Sequence, residues 1–355
     1  MANGYLDSQN IDFATGQTES RLRNMQNRLG INFTEFIARV DAAITALNAP
    51  GGLVSELCYR TSEDRKTGAY GGSKVFRRAA EYSPERPQKG EGSGWLLPLY
   101  ENEIALGFTR KALDVMQVST FEGELATTMQ AIERGQRADV LTRLFSDAEL
   151  GLDNDGVGAT PGFAGSGTGS NVYSGPVPPG VGTLNMYQRV ASTGLAGAVD
   201  SAVKWLQFFH GMGPFDLIGS ASAIDLIMAL PKFTKAGDLL VRAGSGTAEA
   251  VVDATKYVGV LNGNIRVRLP EAQLSGDGVA IYKSYGNDNL ENPLAWRYSD
   301  IWGPNAWVED RELYPLANAL VKQNFGVGVN HRAGAALIAV AASGTYAAAA
   351  PTVSR

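Results

Sequence analysis

The spacing of apolar residues along the chain predicts a mixture of helices and strands. Apolar positions recur every three or four residues over 19–47, 120–145 and 186–209, which is typical of helices that bury one face, and Gly30 and Asn32 predict a break in the first of them. The second pattern predicts a single amphipathic helix of about 39 Å, at about 1.5 Å per residue. A shorter helix is predicted between Ser220, a favourable N-cap residue, and Pro231, which stops it.

Other segments carry the alternating or continuous apolar runs of buried strands. Asn262-Gly263 separates two such runs and is a strong signal for a two-residue hairpin turn. The predicted strands are 215–219, 257–261, 265–269, 279–285, 294–298, 319–329 and 336–340. Helices and strands mixed in this order predict an α+β fold.

The segment 60–94 stands apart because it is rich in charged residues and glycine and has few aliphatic side chains. A segment of this composition cannot build a core of its own. Glycines within 71–72 and 90–94 supply turn material, so a long hairpin is predicted, with 74–78 in one of its strands. An excursion of this length is either disordered or bound to a neighbouring molecule.

Composition and charge exclude several classes of protein. The 355-residue chain has a net charge of −5 and a pI near 5.3, so bulk electrostatics do not draw it onto nucleic acid. Cys58 is its only cysteine, which excludes an intramolecular disulfide and a thiolate metal cluster and favours a reducing cytoplasm. The first residues lack a secretory signal pattern, and no run of about 18 apolar residues predicts a membrane span.

Few residues offer reaction chemistry. The chain has two histidines, His210 and His331, and no G-x-S-x-G turn that would present an activated serine. The glycine-rich runs 162–169 and 243–248 lack the lysine of a phosphate-binding loop. Asp153–Gly156 begins like a calcium loop, but the terminal glutamate is absent. We therefore predict no catalytic, cofactor-binding or metal site.

Three tryptophans, Trp296, Trp302 and Trp307, lie close together in the sequence. Aromatic side chains bring a large apolar area with one polar atom, which suits cores and protein interfaces. We predict packing roles for all three rather than a ligand-binding cluster.

The order of these parts resembles that of a known family. Residues 1–17 are polar and without periodicity, so an arm is expected there. It is followed by the charged hairpin, the long helix, an α+β block and terminal strands. The most specific stretches are GSASAIDLIMALPKF (219–233), YKSYGNDNLENPLAWRYSD (282–300) and FGVGVNHRAGAALI (325–338). Over nearly its whole length the chain is similar to the major capsid proteins of tailed bacteriophages, which have the Hong Kong 97-type fold.

The resemblance implies five segments. They are an N-terminal arm and helix (1–59), an extended loop (60–107), a peripheral domain with its spine helix and a glycine-rich insert (108–182), an axial domain (183–299), and the return strands of the peripheral domain with the C-terminal tail (300–355).

The resemblance also implies contacts between subunits, in which the charged extended loop lies on the spine helix of a neighbour. The basic residues of the loop are Arg65, Lys66, Lys74, Arg77 and Arg78, and the acidic residues of the helix are Glu122, Glu124 and Glu133. Exposed ion pairs contribute about 0–1 kcal/mol each. We therefore expect them to align the loop on the neighbouring helix more than to strengthen its binding. A covalent link between a loop lysine and a peripheral-domain asparagine stays open, because no spacing selects one pair from the lysines Lys66, Lys74 and Lys89 and the asparagines Asn318, Asn324 and Asn330.

The implied function is structural: hexamers and pentamers of the chain form an icosahedral virion head, assembled in the host cytoplasm, around double-stranded DNA that they contact weakly. The implied partners are further copies of the chain, a separate scaffolding protein, a portal protein and decoration proteins, with no membrane and no cofactor. Two alternatives remain. One is a nanocompartment shell that resembles the encapsulins, and the other is a hydrolase that uses His210 or His331.

Overall fold

The structure, a computed structural model, describes residues 33–48, 52–68, 93–109, 118–145, 187–236, 256–313, 316–331, 334–340 and 352–353. These residues belong to two compact units. Those within Met1–Ala49, Glu101–Arg134 and Trp302–Asn324 form the first unit. Those within Pro50–Tyr100, Gly135–Ile301 and Phe325–Arg355 form the second.

Helices and strands are mixed in the first part of the chain, and the described elements after Met228 are all strands. The helices are α1 (Phe33–Leu47), α2 (Gly52–Leu57), α3 (Val118–Phe145), α4 (Leu195–His210) and α5 (Ala221–Met228). The strands are β1 (Cys58–Thr61), β2 (Arg65–Gly68), β3 (Ser93–Leu96), β4 (Tyr100–Thr109), β5 (Tyr187–Val190), β6 (Phe215–Gly219), β7 (Phe233–Lys235), β8 (Tyr257–Leu261), β9 (Ile265–Arg268), β10 (Leu274–Ser275), β11 (Gly278–Lys283), β12 (Leu294–Tyr298), β13 (Trp307–Leu313), β14 (Leu316–Val329), β15 (Ala335–Val340) and β16 (Thr352–Val353).

The first unit joins helix α1 to the N-terminal part of α3 and to a strand pair. Strands β13 and β14 pair antiparallel from Trp307 opposite Lys322 onward, and β4 also pairs with β14. A small core forms where one face of α3, carrying Leu125, meets Val40 of α1 and Val321 of β14. This unit therefore brings 101–134 together with 302–324, which are far apart in the sequence.

The second unit is built on a seven-stranded mixed sheet in the order β5-β15-β11-β6-β9-β8-β7. Helices α4 and α5 cover one face of this sheet. The core on that side contains Leu206, Ile224 and Ile281 among its fully or almost fully buried residues. Strand β15, which lies in segment 300–355 of the sequence, pairs antiparallel with β11 and parallel with β5.

The other face of the same sheet packs on the C-terminal turns of α3 and on short elements from both ends of the chain. Val140, Leu141 and Leu144 of α3 have no exposed surface and share a core with Leu57 of α2 and Leu294 of β12. In this part of the unit β12 pairs with β1 in parallel and with the end of β14 antiparallel.

The described strands confirm the predicted ones to within a few residues, and α3 confirms the long helix. The turn Asn262-Gly263 connects β8 to β9 with φ values of 54° and 77°, as a tight hairpin requires. The N-cap prediction is also confirmed, because Ser220 Oγ accepts a hydrogen bond from the Ala223 amide at 3.3 Å.

One helix prediction was wrong at its start. The pattern over 186–209 predicted a single helix, but α4 begins at Leu195, and Tyr187–Val190 is strand β5. The parallel partner of β5 is β15, about 150 residues further along the chain, so local periodicity did not reveal the pairing. The first helical pattern, 19–47, is observed as α1 from Phe33, directly after the break predicted at Gly30 and Asn32, and 19–32 lie outside the described residues.

Candidate functional site

The three acidic residues predicted to contact a neighbouring subunit lie on the solvent side of α3. Glu122, Glu124 and Glu133 are exposed, whereas Leu125 of the same helix is buried against α1. Glu122 forms an ion pair with Arg39 of α1 within the chain. Among the described residues, none forms a salt bridge with Glu124 or Glu133. The helix therefore presents two carboxylates that further contacts can use.

The structure describes two of the basic residues predicted on the loop. Arg65 and Lys66 lie on β2, which pairs antiparallel with β3 so that they stand opposite Leu96 and Trp95. Lys74, Arg77 and Arg78 lie outside the described residues, as do the glycine-rich runs and the Asp153 turn. Because the contact is expected between two subunits, it stays a prediction here.

The described ends of segment 60–107 show how the hairpin begins and ends at the second unit. Strands β2 and β3 form an antiparallel ladder that continues to Leu97, whose amide donates to Asp64 O at 2.9 Å. We call this ladder, 64–68 with 93–97, the hairpin base. The chain thus leaves and returns at one point of the second unit, as a hairpin requires.

The segment that leads into the hairpin base is held by hydrogen bonds to the loop between β11 and β12, which we call the clasp. Asn292 has no exposed surface, and its Nδ2 lies 3.4, 3.1 and 3.2 Å from the carbonyl oxygens of Ser55, Cys58 and Gly286. Asp288 adds two contacts: its amide donates to Ser55 O at 2.7 Å, and its Oδ1 accepts from the amide of Arg60 at 2.6 Å. Buried polar groups with several partners hold a chain in one conformation.

The chain leaves the hairpin base across strands β12 and β14. Arg297 Nη1 donates to Leu97 O at 2.6 Å. Beside it, Gly326 and Gly328 lie directly under Leu97 and Pro98, with no room for a side chain. These residues and Asn292 were not predicted from the sequence. The available signal was the alternation in FGVGV (325–329), where Phe, Val and Val face the core and the glycines face the other way.

A buried charge cluster lies on the sheet of the second unit. Asp216 of β6 has no exposed surface, and Arg266 Nε donates to its Oδ1 at 2.6 Å. Burial raises the pKa of Asp216, while Arg266 and Arg268 oppose that rise. Arg268 also pairs with Glu56 of α2. Two cations and two carboxylates therefore balance one another inside the unit, and sequence spacing gave no sign of this cluster.

The two histidines make contacts typical of structural side chains. His331 is 8% exposed, and its Nε2 lies 3.0 Å from Leu290 O. His210 is at the end of α4, and its Nδ1 lies 2.7 Å from the hydroxyl of Tyr285. The hydrolase alternative gains no support from these contacts.

The tryptophans divide between core and surface. Trp296 is 3% exposed and stacks on Phe325 with ring centroids 4.1 Å apart, which confirms a packing role. Trp302 stacks on Trp307 at 5.1 Å but remains 56% exposed. An exposed indole of this kind suits an interface between proteins.

The described segments contain no group of three or more His, Cys, Asp or Glu side chains arranged to hold a metal ion. Of the helices described, none is both long and apolar enough to cross a membrane.

No protein-family model matches the chain, and no curated protein matches its sequence. Many solved structures resemble it, and among them are two from phages that match over most of its length. A structure from Mycobacterium phage Patience has a TM-score of 0.56 at 17% identity, covering 93% of each chain. A chain from the mature capsid of bacteriophage PhiM1 has a TM-score of 0.50 at 8% identity, covering 82% of this chain and 87% of that one. The protein therefore has a mixed α+β fold like that of phage capsid chains, which confirms the α+β part of the prediction, and the Hong Kong 97-type arrangement of segments stays a prediction.

Proposed function

We propose that this chain is the major capsid subunit of a tailed bacteriophage. Hexamers and pentamers of the chain would form an icosahedral head around double-stranded DNA. The observation that carries the proposal is the likeness in fold to a chain of the PhiM1 mature capsid, which extends over most of both chains. The contacts of His210 and His331, which are those of structural residues, agree with a role without catalysis.

The proposed architecture is that of the Hong Kong 97-type fold. Segment 60–107 is the extended loop, and the antiparallel hairpin base supports this assignment. The peripheral domain combines the spine helix α3 with the return strands, and the contacts of 101–134 with 302–324 in one unit support it. The axial domain is 183–299, the segment that contains most strands of the seven-stranded sheet. The arm (1–59), the insert within 108–182 and the tail within 300–355 complete the assignment.

Shell building needs many modest contacts rather than a few strong ones. A standard protein interface buries about 1,600 Å², and each contact gains strength when neighbouring subunits are already held in place. The loop cations Arg65, Lys66, Lys74, Arg77 and Arg78 would meet Glu124 and Glu133 of a neighbour's spine helix. Glu122 already pairs with Arg39, so we expect it to contribute less to this contact than the other two acids.

The remaining partners follow from this role. We propose a separate scaffolding protein, a portal protein and decoration proteins as partners, and the assembled virion as the location, after assembly in the host cytoplasm. Contact with DNA is expected to be weak because a net charge of −5 repels a phosphate backbone. A weakly held genome can leave the head during ejection.

The proposal is tested by expressing the chain alone and together with the product of its candidate scaffolding gene. Electron microscopy should show closed shells of uniform diameter in at least one of the two samples. Protein that stays monomeric and forms no shells under either condition would contradict the proposal. Shells that enclose a cargo protein instead of DNA in the native host would favour the nanocompartment alternative.

A further inference from the structure

Strand β14 has a face without side chains where the hairpin base returns. Phe325, Val327 and Val329 point into the core of the second unit, so the alternate positions Gly326 and Gly328 share the opposite face. Gly326 stands opposite Arg297 of β12, and Gly328 stands opposite Ala295. The strand is therefore flat at this point, and Leu97 and Pro98 lie on it.

Strand β14 and the segment Leu97-Pro98 approach each other so closely that only glycine fits at positions 326 and 328 without a shift. A Cβ at Gly326 would lie 2.1 Å from Pro98 O and 2.5 Å from Pro98 C, both backbone atoms. A Cβ at Gly328 would lie 2.4 Å from Leu97 Cδ2, the end of a side chain that is 1% exposed. Real Cβ atoms essentially never come within 3.0 Å of such atoms. A methyl at position 326 must therefore move the backbone of the returning segment, and a methyl at position 328 must displace the buried side chain of Leu97.

The same point of the chain carries the last hydrogen bonds of the hairpin base. Leu97 donates its amide to Asp64 O at 2.9 Å and accepts from Arg297 Nη1 at 2.6 Å. A shift of Leu97 is therefore passed directly into the ladder of β2 and β3. Because an extended hairpin multiplies a small rotation at its base into a larger displacement further out, the position of Leu97 matters beyond its own contacts.

We propose that Gly326, Gly328 and Arg297 form a seat that sets the direction in which the hairpin base leaves the second unit. They act as positioning residues for the contact between the extended loop and a neighbouring subunit. This inference rests on the proposed capsid function. It assigns assembly, rather than folding alone, to the two glycines of FGVGV.

The test compares Gly326→Ala and Gly328→Ala with Gly197→Ala on α4, where an added Cβ meets nothing within 4 Å. Each variant is checked for native circular dichroism and cooperative unfolding, and then for shells by electron microscopy. We expect both seat variants to lower the yield of closed shells by about tenfold or more, because a defect in every subunit is repeated at every contact. Gly197→Ala should assemble like the unaltered chain.

A rescue variant distinguishes a change in the direction of the hairpin base from a simple loss of packing around position 328. Leu97→Val lacks the δ-carbons that collide with a methyl at position 328, so Gly328→Ala with Leu97→Val should recover shells. Gly326→Ala collides with backbone and should not be rescued by Leu97→Val. Equal yields and diameters for Gly328→Ala and the unaltered chain would overturn the seat, and so would failure of the rescue in a folded double variant.

A second variant covers the case in which the glycine variants do not fold. Arg297→Gln removes the charged donor to Leu97 O and adds no volume, and we expect fewer or irregular shells from a natively folded subunit. Unaltered assembly of this variant would also overturn the seat. If the unaltered chain itself forms no shells, the proposed capsid function fails, whereas unaffected variants of an assembling chain refute the seat alone.

Discussion

Cys58 shows how the surroundings of one residue decide its chemistry. It is the first residue of β1 and is 1% exposed in the core between the sheet and α3. Burial raises the pKa of its thiol far above the ordinary value, the nearby Arg60 only partly opposes this, and Asp288 adds to it. The thiolate, which is the reactive form, is therefore disfavoured in the folded subunit.

We expect Cys58 in the folded subunit to resist thiol reagents even at about pH 9, where a free cysteine is largely ionised. A disulfide-exchange reagent should detect no thiol in native protein and one per chain after denaturation. Because the folded pKa lies above the unfolded one, the free energy of unfolding should also fall as pH rises above about 9. Rapid native labelling would show that β1 opens readily.

Helix α5 illustrates how far local sequence specifies an element. Its N-cap Ser220, the apolar residues that it buries and the proline beyond its end are all visible in the sequence. Ser220 is 2% exposed, and its hydroxyl satisfies the amide of Ala223, which has no other partner in the first turn of a helix. The cap therefore acts inside the unit, where water cannot replace it.

Ser220→Ala should lower the free energy of unfolding of the unassembled subunit by about 1 kcal/mol, in the range of about 0.5–2 kcal/mol measured for N-cap losses. Chemical denaturation followed by circular dichroism measures this change. Ser201→Ala, within α4, is the matched control and should change stability by less than about 0.5 kcal/mol. An equal loss in both variants would argue against a capping role.

Some elements were not predictable from local pattern. The apolar spacing over 186–209 fits a helix throughout, yet Tyr187–Val190 is a strand because β15 offers it a parallel partner. The same holds for the clasp at Asn292, since an asparagine in a loop gives no sign that Ser55 and Cys58 will surround it. Pairing between distant segments is decided by the whole fold and not by the residues of one segment.

At the scale of the whole molecule, the proposed loop contact joins charges of two different subunits. Glu124 and Glu133 are exposed on α3, and the cations of the loop belong to another part of the chain. Each exposed pair is worth about 0–1 kcal/mol, but a shell repeats the contact at every subunit. Small changes in charge should therefore have large effects on assembly and small effects on folding.

The variant Glu124→Lys with Glu133→Lys should lower the yield of shells and leave the unfolding of the subunit nearly unchanged, because both side chains are exposed. Adding Arg77→Glu and Arg78→Glu should restore assembly by exchanging the two charges. Asp225→Lys, an exposed acid on α5, serves as the control and should assemble normally. Yields are compared by sedimentation, and failure of the exchanged charges to restore shells would argue against the loop-to-helix contact.

The local parts of this protein can be predicted from its sequence: the long helix, seven of the strands, the turn at Asn262-Gly263 and the Ser220 cap, together with the scarcity of reactive side chains. These depend on spacing, capping and turn chemistry, which act between residues close in the chain. The tertiary structure alone decided that β5 joins β15, that Asp216 is neutralised by arginines of β9, and that Gly326 and Gly328 lie under the returning hairpin. Each of these joins segments far apart in sequence, and their meeting is fixed only when the whole chain has folded.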